Sequence, residues 1–173
     1  MRDLHRTRVA MQRGIGSHTK PNNGIKDEWL TPPEILKALG PFDLDPCAPV
    51  RRPWDMAANH FTVNDNGLMQ PWMGRVWLNP PYGDQTHLWL QRMVEHGHGI
   101  ALIFARTETE MFFEYIWRRS SAVLFIEGRL HFYHVDGKRA KGNAGGPSVL
   151  VAYGGRDTAR LCDSGIKGKF LVL

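Results

Sequence analysis

Asn79-Pro80-Pro81-Tyr82 follows the apolar run Val76-Trp77-Leu78 and precedes Gly83. These residue types suit group transfer onto a planar amine or amide. An exocyclic amine has its lone pair drawn into the ring, so it is a poor nucleophile. Two acceptors aimed at its two hydrogens hold the nitrogen and favour a more tetrahedral shape. The side-chain oxygen of Asn79 is one such acceptor. The carbonyl of Pro80 is the other. Pro81 has no N–H, and each residue before a proline is pushed towards extended geometry, so the turn points its acceptors outward. Tyr82 supplies a ring on which a base can stack. A Pro-rich turn that closes a strand, with Tyr82 as packing, is the competing reading, and context must decide between them.

A group donor needs a site beside Asn79. Asp45-Pro46-Cys47-Ala48 follows the short run Phe42-Asp43-Leu44. A carboxylate there can meet the ammonium of a methionyl moiety or the hydroxyls of a ribose. It can equally be a turn or cap residue before proline. The chain has no Gly-x-Gly-x-x-Gly. That absence argues against a pyrophosphate cofactor but not against S-adenosylmethionine, which has no phosphate to cradle. Asp65, in Asp65-Asn66-Gly67, lies upstream of the strand that carries Asn79. It could accept from the adenine amine or ribose of a cofactor, or sit in an ordinary turn.

Arg129 and Phe132 follow the apolar run Ala122–Ile126. Arg129 can contact a phosphate, and Phe132 can stack on a base or pack in the core. Arg106 follows the apolar run that ends at Phe104 and can face the same crevice, while Thr107 or Thr109 caps a helix. His60, His87, His96, His98, His131 and His134 show no paired ligand spacing, and no metal is expected. Cys47 and Cys162 also lack metal-ligand spacing. They read as buried or free thiols, which fits a reducing cytoplasm.

The elements that must position these residues follow from periodicity. Thr31-Pro32-Pro33-Glu34 opens a helix, with Thr31 as cap, prolines in the first turn, and Ile35, Leu36 and Leu39 on the apolar face. Strands are predicted at 42–45, 76–78, 100–104, 122–126, 149–153 and 170–173, and helices at 88–96 and 111–118. Residues 49–75 read as loop. Short continuous apolar runs alternating with helices point to a mostly parallel sheet with helices on both faces, the α/β class. In such sheets ligands bind at the carboxyl ends of the strands, where Asp45, Asn79 and Arg106 would meet.

The 173 residues suit one domain. No apolar run is long enough to span a membrane, and the start is not that of a signal peptide. The net charge is +5. Arg2, Arg6, Arg8, Arg13 and Lys20 stand against Asp3 alone in the first twenty residues, and Lys138, Arg139 and Lys141 form a second basic stretch. Such segments suit a polyanion, or are merely a solvated tail and loop. Residues 1–26 read as a flexible basic arm, and residues 27–173 as the domain.

Taken in order, 27–33 (DEWLTPP), 42–48 (FDLDPCA), 65–68 (DNGL) with Trp72, 76–82 (VWLNPPY) and 128–132 (GRLHF) resemble the phage-type, Dam-like DNA N6-adenine methyltransferases. The resemblance spans roughly residues 27–154. It implies a Rossmann-like fold that uses S-adenosylmethionine on double-stranded DNA, in a bacterial or phage-infected cytoplasm. Asn79, Pro80, Pro81 and Tyr82 match the catalytic motif. Asp45 and Pro46 match the cofactor segment, Asp65 a position near the cofactor adenosine, and Trp29, Thr31 and Pro32 an upstream segment of that pocket. The stretch from Asp45 to Asn79 is short for two strand–helix units, so one element must be reduced. No separate recognition domain is visible, which leaves loops near 106–121 and 133–147 to read the DNA. Two alternatives stand beside this reading: methylation of a protein glutamine or an RNA base, which keeps the motif's logic, and a catalytically silent DNA-binding protein, against which the intact Asn79–Tyr82 motif argues.

Overall fold

The computed structural model describes residues 28–173. The basic arm expected over residues 1–26 lies outside the described residues. Seven strands form one sheet: β1 (Leu44–Asp45), β2 (Asn59–His60), β3 (Val76–Leu78), β4 (Gly99–Phe104), β5 (Ala122–Ile126), β6 (Ser148–Tyr153) and β7 (Gly168–Val172). The helices are α1 (Pro33–Leu39), α2 (Thr86–His96), α3 (Glu110–Phe112), which runs on into a π-helical turn at Phe113–Trp117, and α4 (Gly155–Cys162).

The strand order is β2-β1-β3-β4-β6-β5-β7. The pairs β1·β2, β1·β3 and β3·β4 are parallel. The pairs β4·β6, β5·β6 and β5·β7 are antiparallel, and these are the longer ladders. The sheet is therefore mixed, and the mostly parallel sheet read from the sequence is corrected. The cause is local. Chain 127–147 returns from β5 as a loop with no helical crossover, so β6 enters reversed between β4 and β5. Every residue of β6 is nevertheless buried, because the strand is central and covered on both faces. Its continuous apolar run reports that burial and not a parallel direction.

Alternate residues of the central strands feed two cores. Trp77, Ile100, Leu102, Ala122, Leu124 and Leu150 pack with Ile35 and Leu39 of α1 and Leu161 of α4. Val76, Leu78, Ala101, Ile103, Val123 and Val151 pack with Leu90 and Met93 of α2 and with Phe112 and Ile116. Helices thus cover both faces, as expected. The reduction foreseen between Asp45 and Asn79 falls on helices, since no α-helix connects β1 to β2 or β2 to β3.

β3 is clamped at its start by Arg75, which is buried. Its guanidinium donates to the Asp157 carboxylate of α4 and to the carbonyls of Leu39 (2.6 Å) and Pro41 (2.9 Å). It also lies 4.3 Å from the centre of the Phe42 ring. His98 Nδ1 sits 2.9 Å from the other Asp157 oxygen. Beside the clamp, Gly99 (φ 138°) lets β4 pair closely with β3, because a Cβ there would lie 2.1 Å from the Val76 carbonyl oxygen. This packing fixes where β3 ends, and therefore where Asn79 begins.

Candidate active site

β1, β3 and β4 run in the same direction and deliver Asp45, Asn79 and Phe104 to one end of the sheet. A crevice of about 1370 Å³ opens there. Its wall includes Trp29, Asp45, Pro46, Cys47, Asn79–Tyr82, Phe104 and Arg106, and the small residues Gly142, Ala144, Gly145 and Gly146.

The Asn79 side chain has a defined orientation. Its Nδ2 donates to the Trp29 carbonyl at 3.0 Å. A carbonyl only accepts, so the amide nitrogen is committed to Trp29 and Oδ1 is left for another donor. The Tyr82 hydroxyl approaches Oδ1 at 3.4 Å, longer than an ordinary O–H···O bond and therefore readily displaced. Among the described residues nothing donates to the Pro80 carbonyl. The next carbonyl, of Pro81, accepts from Thr86 Oγ1 at 2.8 Å, and Thr86 Oγ1 accepts in turn from Gly83 N–H at 3.0 Å. This pins the turn to the start of α2. The Tyr82 ring stacks on Phe104, with centroids 4.3 Å apart and planes at 20°. Burial pushes the Tyr82 phenol up, so it stays protonated.

Asp45 ends β1 and is almost fully buried. Its Oδ1 accepts from the Cys47 N–H at 3.1 Å. Burial raises its pKa from 3.8 to about 7, against the lowering effects of that hydrogen bond and of Arg52. The loop before β3 lies on this turn. Gly67 is indispensable there, because a Cβ would come 1.9 Å from the Pro46 carbonyl oxygen. Trp72 Nε1 donates to the Gly67 carbonyl at 2.8 Å and holds the loop down.

The structure gathers some of the sequence-derived site residues and leaves others apart. Trp29, Asp45, Pro46, Asn79, Pro80, Pro81, Tyr82 and Arg106 line the crevice, and Phe132 touches it while packing in the core. Burial makes packing the main role of Phe132. Thr31 is buried away from the crevice wall and caps nothing; Pro32 is the N-cap of α1, with no side-chain cap bond. The Asp65 carboxylate is taken up by its own turn, accepting from Thr62 N–H (2.7 Å) and Thr62 Oγ1 (2.8 Å), which holds its pKa below the usual value. It supports a loop whose neighbours Asn66, Gly67 and Leu68 line the crevice. Arg129 is exposed and off the wall. Thr109 does cap α3, accepting from the Phe112 N–H.

Lys138, Arg139 and Lys141 are exposed on a hairpin closed by the Tyr133–Arg139 bridge and tied to the upstream segment by the Leu30–Tyr133 bridge. The hairpin rests on the 50–55 loop, with the Tyr133 ring edge-on to Trp54 at 5.3 Å. That contact brings exposed Arg51 beside the basic hairpin. Nothing in the sequence signalled Arg51, since the two loops are far apart along the chain. The backbone carbonyl of Trp29 was also missed, because no residue type marks a backbone acceptor. Among the described residues no group of His, Cys, Asp and Glu side chains could hold a metal. No helix among them is long and apolar enough to cross a membrane.

The open sheet end presents a fixed amide, a free carbonyl and a stacked aromatic ring next to a buried carboxylate, an arrangement suited to an amino-group methyltransferase of the mixed α/β class. The family model for DNA N-6-adenine-methyltransferase (Dam) matches residues 16–160, and the chain belongs to that family. No curated protein and no solved structure matches it. Membership makes the chain a DNA adenine-N6 methyltransferase, and it favours DNA over a protein glutamine or an RNA base.

Proposed function

We propose that this crevice is the methyl-transfer site, with S-adenosylmethionine on the Asp45–Pro46 side and an adenine flipped out of double-stranded DNA on the Asn79–Tyr82 side. The observation that carries the reading is the pair of acceptors. The Asn79 amide is oriented by the Trp29 carbonyl, and the Pro80 carbonyl takes no hydrogen bond from the described residues. Both are available for the two hydrogens of one exocyclic amine.

The cofactor fits the residues present. There is no phosphate loop to satisfy, Asp45 offers a carboxylate at a strand end, and the crevice exceeds the usual ~300–1,000 Å³ of a single-ligand pocket. Bound there, S-adenosylmethionine would supply an electrophilic methyl on a sulfonium. The chain's part is placement and electrostatics. Asn79 Oδ1 and the Pro80 carbonyl hold the amine and face the positive charge that grows on its nitrogen. The Tyr82 ring, backed by Phe104, supports the base. Loops 61–68 and 142–146 wall off water. The strands that carry Asp45, Asn79 and Phe104 all run one way, which supports the Rossmann-like description for this half of the sheet. Arg106 lines the crevice and can meet the DNA backbone there, and exposed Lys138, Arg139, Lys141 and Arg51 can supply further phosphate contacts.

The reading is tested by incubating duplex DNA with the protein and methyl-labelled cofactor, then digesting to nucleosides. Label in N6-methyl-2′-deoxyadenosine is expected. Label in any other base, or none, would refute it.

A further inference from the structure

The Asn79–Pro80 and Pro80–Pro81 peptides share an unusual property: neither has an N–H. Two successive peptide planes at the heart of the motif can therefore be held only through their carbonyls. One of these, on Pro80, is reserved for the target amine in the reading above. The other, on Asn79, is engaged. Cys47 Sγ lies 3.3 Å from the Asn79 carbonyl oxygen, and among the described residues no other group donates to it. Cys47 is itself fixed, because its N–H donates to Asp45 and the next residue, Ala48, donates to the Phe61 carbonyl at 2.8 Å.

We propose that Cys47 is a positioning residue: its thiol hydrogen, donated to the Asn79 carbonyl, sets the plane of the Asn79–Pro80 peptide and so aims the Pro80 carbonyl. This rests on the reading of Asn79 and Pro80 as the acceptors. The bond also joins the cofactor turn at Asp45 to the target turn at Asn79, so the two halves of the reaction keep a fixed separation. Burial and the neighbouring Asp45 carboxylate hold the thiol well above its usual pKa. Cys47 therefore stays in the protonated, donating form and is a poor nucleophile.

Two measurements test this. In steady-state assays Cys47→Ala should lower kcat about two- to tenfold, the worth of one neutral hydrogen bond. KM for DNA should hold, because the base-stacking surface is untouched. Cys47→Ser keeps a donor and should restore most of the loss. The second measurement leaves Cys47 in place. In Cys162→Ser the infrared S–H stretch belongs to Cys47 alone, and it should lie at lower wavenumber in the folded chain than in the denatured one. An unshifted band overturns the proposal even if the Cys47 variants fail to fold. Unchanged kcat in Cys47→Ala, or equal losses in the alanine and serine variants, also overturns it. A wild-type chain that methylates no adenine would instead sink the reading of the crevice, and the S–H band would still report on the contact.

Discussion

If Asp45 meets the ammonium of S-adenosylmethionine, cofactor binding should weaken as the pH falls through 7. The carboxyl is almost fully buried, and burial raises its pKa from 3.8 to about 7. Near neutrality it is therefore part protonated in the unliganded chain, and only the ionised form attracts a cation. For one group of pKa about 7, the ionised fraction falls about eightfold between pH 7.5 and pH 6, and affinity should fall with it. The window stops at 7.5 because an α-amino group loses its own charge near pH ~7.7–8.0. Titration calorimetry at several pH values, in buffers of different ionisation enthalpy, gives both the affinity and the protons released. Asp45→Asn should bind weakly with no such slope. Removing the favourable charge in Arg52→Gln should move the midpoint upward, since Arg52 lowers the Asp45 pKa. The unliganded fold should respond in the opposite sense. Between pH 3.8 and about 7 the folded chain keeps a proton that the unfolded chain has released, so stability falls as pH rises through that window and then levels off. A wild-type affinity that is flat from pH 6 to 7.5, or an equal slope in Asp45→Asn, refutes the assignment.

Three further outcomes follow from the same geometry. Asn79→Ala should lose about 10²–10⁴-fold in methyl transfer, with cofactor affinity little changed, as single-turnover rates and calorimetry would show. Arg51→Gln and Lys141→Gln should each lower the slope of log affinity for duplex DNA against log salt by about 0.9, the effect of one lost phosphate contact. Neither side chain is ion-paired among the described residues, whereas Lys138 already pairs with Asp136, and Lys138→Gln should change the slope less. Asp157→Ala leaves the Arg75 charge buried without its partner and should destabilise the fold by about 3–5 kcal/mol in denaturant titration, with the DNA sequence methylated unchanged.

The central strands were legible because they are short, largely buried and continuous in apolar residues. Ala122–Ile126 has the predicted bounds, and Gly99–Phe104 and Ser148–Tyr153 differ by one residue at their starts. Strand direction was not legible. A buried central strand has the same apolar signature whichever way it runs, and only the length and content of the connection at 127–147 decides it. α4 was missed because Gly155–Cys162 is mostly polar and buries Asp157 as well as Leu161, so it lacked an apolar stripe. β2 was missed because two residues, Asn59 and His60, have no pattern. At the site, side-chain chemistry was legible and its backbone partners were not. The Asn79 motif stood out by composition, while the carbonyl that orients it comes from Trp29, fifty positions earlier. Of the two readings open for Asp65, the turn is the one seen, since its carboxylate accepts from Thr62 within the turn itself.

The site is held by contacts that cross from strand to strand. Each strand that reaches the crevice ends in a residue tied to its neighbours across the site. Asp45 is buried at the end of β1 and bonded to Cys47, Asn79 is held by Trp29 and Cys47, and Phe104 supports Tyr82. The upstream segment 28–30 contributes the Trp29 carbonyl, and the Leu30–Tyr133 bridge ties that segment to the basic hairpin. A phosphate contact at Lys141 or Arg139 would therefore load a hairpin whose other strand abuts the group that orients Asn79. If the hairpin engages DNA, that engagement and the alignment of the Asn79 amide would lie on one connected path.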